Sequence, residues 1–136
     1  MTETQIKIER PLAIHLLALA QQSPDREICG LIGATHQKPD TIYPTTNISK
    51  SPQTEFEMDA QDQINALKKM RKNHEHLFAI YHSHPSAAAA PSTKDLENIG
   101  YPDAYQIIIS LNTKGVLEMR AYKLGTKGFE EVSLVV

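Results

Sequence analysis

A single cysteine, Cys29, leaves the chain without a partner for an internal disulfide. No apolar run approaches the roughly 18 residues that a membrane-spanning helix needs. The first ten residues lack the apolar centre of a signal peptide. Together these absences predict a cytoplasmic protein. Neither sign of charge dominates: 14 Lys and Arg stand against 16 Asp and Glu, a net charge of −2. Such a balance gives no field that would draw nucleic acid, so neither nucleic acid nor a membrane is expected as a partner. There is no internal repeat and no linker. The 136 residues are expected to form a single domain, 1–136, with one substantial core.

The informative stretch is Tyr81-His82-Ser83-His84-Pro85, followed after five residues by Pro91-Ser92-Thr93-Lys94-Asp95. Leu77–Tyr81 reads as a short apolar strand. Side chains two apart on a strand share a face, so His82 and His84 aim two imidazoles at one point near its end. Pro85 favours leaving the sheet. Pro91-Ser92 predicts a helix start, which places Asp95 in the first turn. Two imidazoles and a carboxylate suit a zinc ion, and three protein ligands leave a fourth position for water, the catalytic pattern. Each part also has a plainer reading. A His-x-His pair can be two ordinary strand-end histidines, and Ser92-x-x-Asp95 has the form of a capping box, which does not exclude metal binding.

The rest of the chain supplies a scaffold. Gln5–Glu9 alternates as a short strand. Pro11 suits the first turn of a helix whose apolar face is Leu12, Leu16 and Leu19, with Ala13, Leu17 and Ala20 beside it. Ser23-Pro24 ends that helix, and His15 is read as a surface residue on it. Ile28–Gly33 reads as a buried strand with close backbone approaches, Cys29 as a small buried hydrophobe, and His36 as a turn residue. Glu27, at the mouth of that strand, would by itself be read as a surface carboxylate. Strands are expected over Thr41–Ile48 and Glu55–Met58, separated by a polar loop. Asp59 caps a second helix with Ala60, Ile64 and Leu67 as its buried face. Lys68, Lys69, Arg71 and Lys72 crowd its last turns, where the dipole favours them. His74-Glu75-His76 is a second His-x-His, but no carboxylate follows at the motif's spacing, and it is read as surface. Ala87–Ala90 lets a loop run close to a metal without bulky side chains. Tyr105–Leu111 is a near-continuous apolar strand, Asn112–Gly115 a turn, and Val116–Lys123 and Phe129–Val135 the last strands. This order predicts an α/β fold with helices packed on a sheet.

The combination His-x-His-Pro-x5-Pro-Ser-x-x-Asp is far more specific than its parts. It resembles the JAMM (MPN+) metalloprotease family, whose motif it matches residue for residue, and Glu27-Ile28-Cys29-Gly30-Leu31-Ile32-Gly33 fits the family's upstream glutamate element. The resemblance runs from Glu27 through the strand 106–111. It implies a mixed curved β-sheet flanked by helices, related to the cytidine deaminase-like architecture. It also implies one Zn²⁺ with a catalytic water, held by His82, His84 and Asp95, with Glu27 as general base. Ser92 would be the oxyanion donor, unless its hydroxyl serves only to cap the helix. JAMM enzymes hydrolyse amide or isopeptide bonds after the C-terminal tail of ubiquitin or a ubiquitin-like protein. This short chain resembles the prokaryotic branch, in which some members process ubiquitin-like sulphur-carrier proteins ending in Gly-Gly, trimming an extension or releasing cysteine. Two other readings stay open: a non-catalytic MPN scaffold, which would lack the ligands, and a RadC-like DNA-associated metalloprotein, for which no DNA-binding module is visible. Zinc-deaminase chemistry lacks its Pro-Cys-x-x-Cys pair here.

Overall fold

The chain begins as expected, with a short strand β1, Gln5–Lys7, and a helix α1, Arg10–Gln21. The structure is a computed structural model, and it describes residues 5–97, 99–112 and 118–136. Pro11 sits in the first turn of α1, where its missing N–H costs nothing. Leu12, Ala13, Leu16 and Ala20 form the buried stripe; Leu19, expected on that face, is only half-buried, and His15 is exposed. The following elements are β2, Cys29–Thr35; β3, Lys38–Thr45; α2, Ala60–Lys72; β4, His76–His84; α3, Thr93–Glu97; β5, Tyr105–Ser110; β6, Glu118–Gly125; and β7, Gly128–Val135. The expected turn after Asn112, and the start of the strand expected at Val116, lie outside the described residues. No helix of the described residues is long and apolar enough to cross a membrane.

All the strands of the described residues join one seven-stranded mixed, curved sheet in the order β1-β7-β6-β5-β4-β2-β3. β1 runs parallel to β7 and β4 parallel to β5, while the other neighbours are antiparallel. The helices α1 and α2 flank opposite faces. On one face α1 packs over Ile32, Ala79, Tyr81, Ile107 and Ile109. On the other, Ala66 and Met70 of α2 pack over Leu31, Tyr43 and Ile80. Alternation along β4 therefore sends Ala79 and Tyr81 towards α1, and Ile80, His82 and His84 towards the α2 side. Gly30 is needed at its position, because a Cβ there would lie 2.5 Å from the Tyr81 ring and 2.6 Å from the Tyr43 carbonyl oxygen.

Two expectations are corrected. The buried face of α2 is not Ala60, Ile64 and Leu67: Ala60 is exposed, Ile64 is 46% exposed and Leu67 is half-buried. The Asp59 side chain caps the Asp62 N–H at 3.0 Å, as expected, and Asp62 in turn accepts the Thr46 N–H at 2.8 Å. That bond turns the row Asp62, Ala66, Met70 towards the sheet and swings Ile64 outwards. Nor is Glu55–Met58 a strand. Only Met58 pairs, in a single bridge to Asn47, and β3 spans 38–45 rather than 41–48. The Asn47 side chain replaces the missing ladder. It accepts the N–H groups of Ser49 and Glu57 and donates to the carbonyls of Glu55 and Glu27.

Candidate metal centre

β4 carries His82 and His84 into the interior, 1% and 2% exposed. Their Nε2 atoms lie 3.2 Å apart. Asp95 Oδ2 lies 3.1 Å from the first and 3.3 Å from the second. These separations match a tetrahedral ion, whose ligand bonds of about 2.0–2.1 Å keep donor atoms about 3.3–3.4 Å apart. The Nδ1–H of His84 donates to the Ala88 carbonyl at 2.7 Å. In the neutral ring this leaves a lone pair on Nε2, facing a carboxylate oxygen that also only accepts. Lone pairs converging on one point need a proton or a cation between them.

Asp95 is placed by the start of α3. The Ser92 N–H donates to Asp95 Oδ2 at 2.8 Å, and the Asp95 N–H donates to Ser92 Oγ at 3.1 Å. The capping box and the candidate ligand are thus the same aspartate. Ser92 Oγ accepts in this pair, so its own O–H remains a donor.

Glu27 comes from the segment before β2. Its backbone N–H donates to the Pro52 carbonyl at 2.7 Å, and its carbonyl accepts from Asn47 at 3.0 Å. Ser83, between the two histidines and on the opposite face, accepts the Ile28 N–H at 2.9 Å and holds this segment against β4. The Glu27 carboxylate is 3% exposed, and its Oε1 has no hydrogen-bond partner among the described residues. One ligating atom from each of Glu27, His82, His84 and Asp95 falls within 4.8 Å of the others, so the group can hold a metal ion.

The electrostatics follow from burial. Removal from water pushes Glu27 up to about 8, helped by the charges of Asp95 and Glu55 and opposed by His84. Burial also lowers His82, against its bonding to Asp95. For Asp95, burial acts upwards, but hydrogen bonds from His82, His84 and the Ser92 N–H outweigh it and hold the carboxyl well below its usual range. Desolvation likewise opposes the charging of His84, but its bonds to Asp95 and Ala88 win and raise it. Cys29 is 1% exposed, and burial pushes its thiol up to about 11, which leaves it a neutral core residue.

The structure therefore brings Glu27, His82, His84, Asp95 and Ser92 together and leaves the second His-x-His apart. His74 and His76 are exposed, and Glu75 between them accepts from the hydroxyls of Tyr43 and Thr41. Sequence reasoning passed over Asn47, Ser83 and Phe56, whose ring stacks on His82 with centroids 4.5 Å apart. Ser83 has a signal in retrospect: a serine between two inward histidines must point to the opposite face. A cavity of about 600 Å³ opens beside Asp95, walled by Phe56, Met58, Ile80, Tyr101 and Phe129.

Known proteins show the same arrangement of chain. The family model for prokaryotic homologs of the JAB domain matches residues 9–124. Over 103 residues the chain is 35% identical to a Thermus thermophilus protein named as a probable TtuB-protein conjugate cleaving protease, covering 76% of this chain but only 64% of that one. Over 111 residues it is 32% identical to a protein of Pyrococcus furiosus named desampylase, covering 81% and 76%. Among solved structures, a Desulfitobacterium hafniense protein superposes with a TM-score of 0.85 at 30% identity, over 96% of this chain and 91% of that one. A structure described as JAMM, a metalloprotease-like zinc site in the proteasome and signalosome, shares the fold with a TM-score of 0.59 at 22% identity, over 98% of both chains. The chain belongs to the prokaryotic JAB-domain family and has the JAMM/MPN fold.

Proposed function

We propose that the chain is a zinc peptidase that hydrolyses an amide or isopeptide bond after the C-terminal Gly-Gly of a ubiquitin-like or sulphur-carrier protein. The observation that carries the reading is the convergence of Glu27, His82, His84 and Asp95 within 4.8 Å. The relatives named as a conjugate-cleaving protease and a desampylase support the class of substrate. His82, His84 and Asp95 would hold the ion. Bound zinc supplies a Lewis acid and brings the pKa of its water from ~15.7 to about 7.

Glu27 is then the base. Its burial makes it more basic than a surface carboxylate, so it can take a proton from the attacking water and deliver it to the departing nitrogen. Water adds across the C–N bond: the hydroxyl oxygen goes to the glycine carbonyl carbon, the proton goes to nitrogen, and a carboxylate and a free amine leave. The Ser92 O–H, still available after capping, donates to the developing oxyanion. The cavity beside Asp95 gives an extended tail room to approach the reacting bond.

The test is mass spectrometry of carrier–cysteine and carrier–peptide fusions incubated with the zinc-loaded protein. The expected result is a new carrier mass ending in Gly-Gly, absent after chelation. Intact fusions alongside readily cut linked ubiquitin chains would overturn the substrate assignment.

A further inference from the structure

Gln106 lies in β5 opposite Ile80 of β4, one strand-face step from His82. It is 9% exposed and lines the cavity beside Asp95. Buried side-chain amides are normally partnered, and the cavity's other amide and its hydroxyls are. Gln63 uses both ends of its amide, donating to the Met58 carbonyl at 3.0 Å and accepting from the Tyr101 hydroxyl at 2.6 Å. Ser49 donates to Glu55 at 2.8 Å. The Gln106 side chain has no partner among the described residues, and it lines a space that reaches Asp95 of the candidate metal group.

We propose that Gln106 binds the main chain of the substrate's tail, an assignment that rests on the peptidase reading above. A carboxamide offers two donors and an acceptor, the complement of a peptide unit's carbonyl and N–H. Strand and extended peptide share a rise of about 3.3 Å per residue, so the two-residue step from His82 to the level of Gln106 is about 6.6 Å. That distance brings the amide to the second or third residue before the cleaved bond. Phe56, Ile80 and Phe129 supply apolar wall to the same cavity, whose charged lining is Lys50, Glu55, Glu57, Lys94 and Asp95. Glycines let a main chain come within hydrogen-bond distance of a recessed amide, which a bulky residue would prevent. Gln106 is thus a specificity-determining residue for a flat tail, and Glu27 and the metal ligands act on the bond two steps further along.

The test combines Gln106→Leu with tail peptides ending Gly-Gly-Cys, in which an ester replaces the amide of the second or third residue before the cleaved bond. Wild type is expected to cut the all-amide peptide, and Gln106→Leu to lower kcat/KM about tenfold, mainly through KM. At one of the two positions the ester should cost wild type a similar factor and cost Gln106→Leu little more. The affinity of the all-amide peptide for the Glu27→Gln protein should fall when Gln106→Leu is added. Equal ester penalties in both proteins, or an unchanged KM in Gln106→Leu, overturn the assignment while leaving the peptidase reading intact. If Gln106→Leu does not fold, an ester scan of wild type that finds no penalty at either position overturns it equally. Wild type that cuts no Gly-Gly peptide removes the peptidase reading and this assignment together.

Discussion

At Glu27 a carboxylate is held inside the protein with one oxygen unpartnered among the described residues, and its proton affinity is raised to about 8 from an ordinary 4.5. The sign of the consequence is fixed by linkage. Between those two values the metal-free folded chain keeps a proton that the unfolded chain has released, so stability falls as pH rises through the window. In chelated protein the urea midpoint should drop between pH 5 and pH 8, and Glu27→Gln should flatten that drop. Parallel slopes for the two proteins would show that Glu27 is not the buried acid described here. His82, His84 and Asp95 were legible because strand alternation and a first-turn capping position are short-range rules. Glu27 was not legible from its own surroundings, where a carboxylate beside a strand reads as surface; only the resemblance singled it out.

Among the elements, the connection from β3 to α2 shows where local rules run out. Asn47, 8% exposed, ties 49, 55 and 57 to the carbonyl of Glu27 through its side-chain amide. Nothing in the residues around it marks it, because all but one of its partners are eight or more positions away. Asn47→Ala should cost about 2–3 kcal/mol, since it leaves buried backbone groups unpaired. It should also slow hydrolysis, since the Glu27 backbone loses one of its two anchors. Urea unfolding beside a kcat measurement checks both, and a neutral result in both would show that the loop holds itself. The face of α2 was misread for a related reason. The sequence periodicity allowed Ile64 inside, but the bond from Thr46 to Asp62 sets the helix rotation. At Gly30 the expected close approach is real, and Gly30→Ala should destabilise by about 1–3 kcal/mol as Tyr81 and β3 are forced apart. A chemical denaturation curve matching wild type would contradict that packing.

Across the whole molecule, the order of elements pointed to helices on a sheet, but not to β1 closing in parallel on β7 or β4 lying between β2 and β5. Those pairings join segments far apart in sequence, and no local pattern encodes them. The candidate site exploits the result, because Glu27 precedes β2, the histidines end β4 and Asp95 starts α3. A ligand that binds only the folded arrangement stabilises it by RT ln(1 + [L]/Kd), about 2.7 kcal/mol at a hundredfold excess over Kd. Zinc should therefore raise the melting temperature of wild type but not of His82→Ala, His84→Ala or Asp95→Ala. Unchanged shifts in these variants, with the shift lost when His74 and His76 are changed, would move the metal to the other histidine pair.

The central claim separates a base from the ligands beside it, and the hydrolysis rate of zinc-loaded Glu27→Gln tests it most directly. The account predicts a protein that keeps about one zinc per chain and cuts the carrier fusion about 10²–10⁴-fold more slowly than wild type. A Glu27→Gln protein that holds its zinc and cuts at the wild-type rate would contradict it.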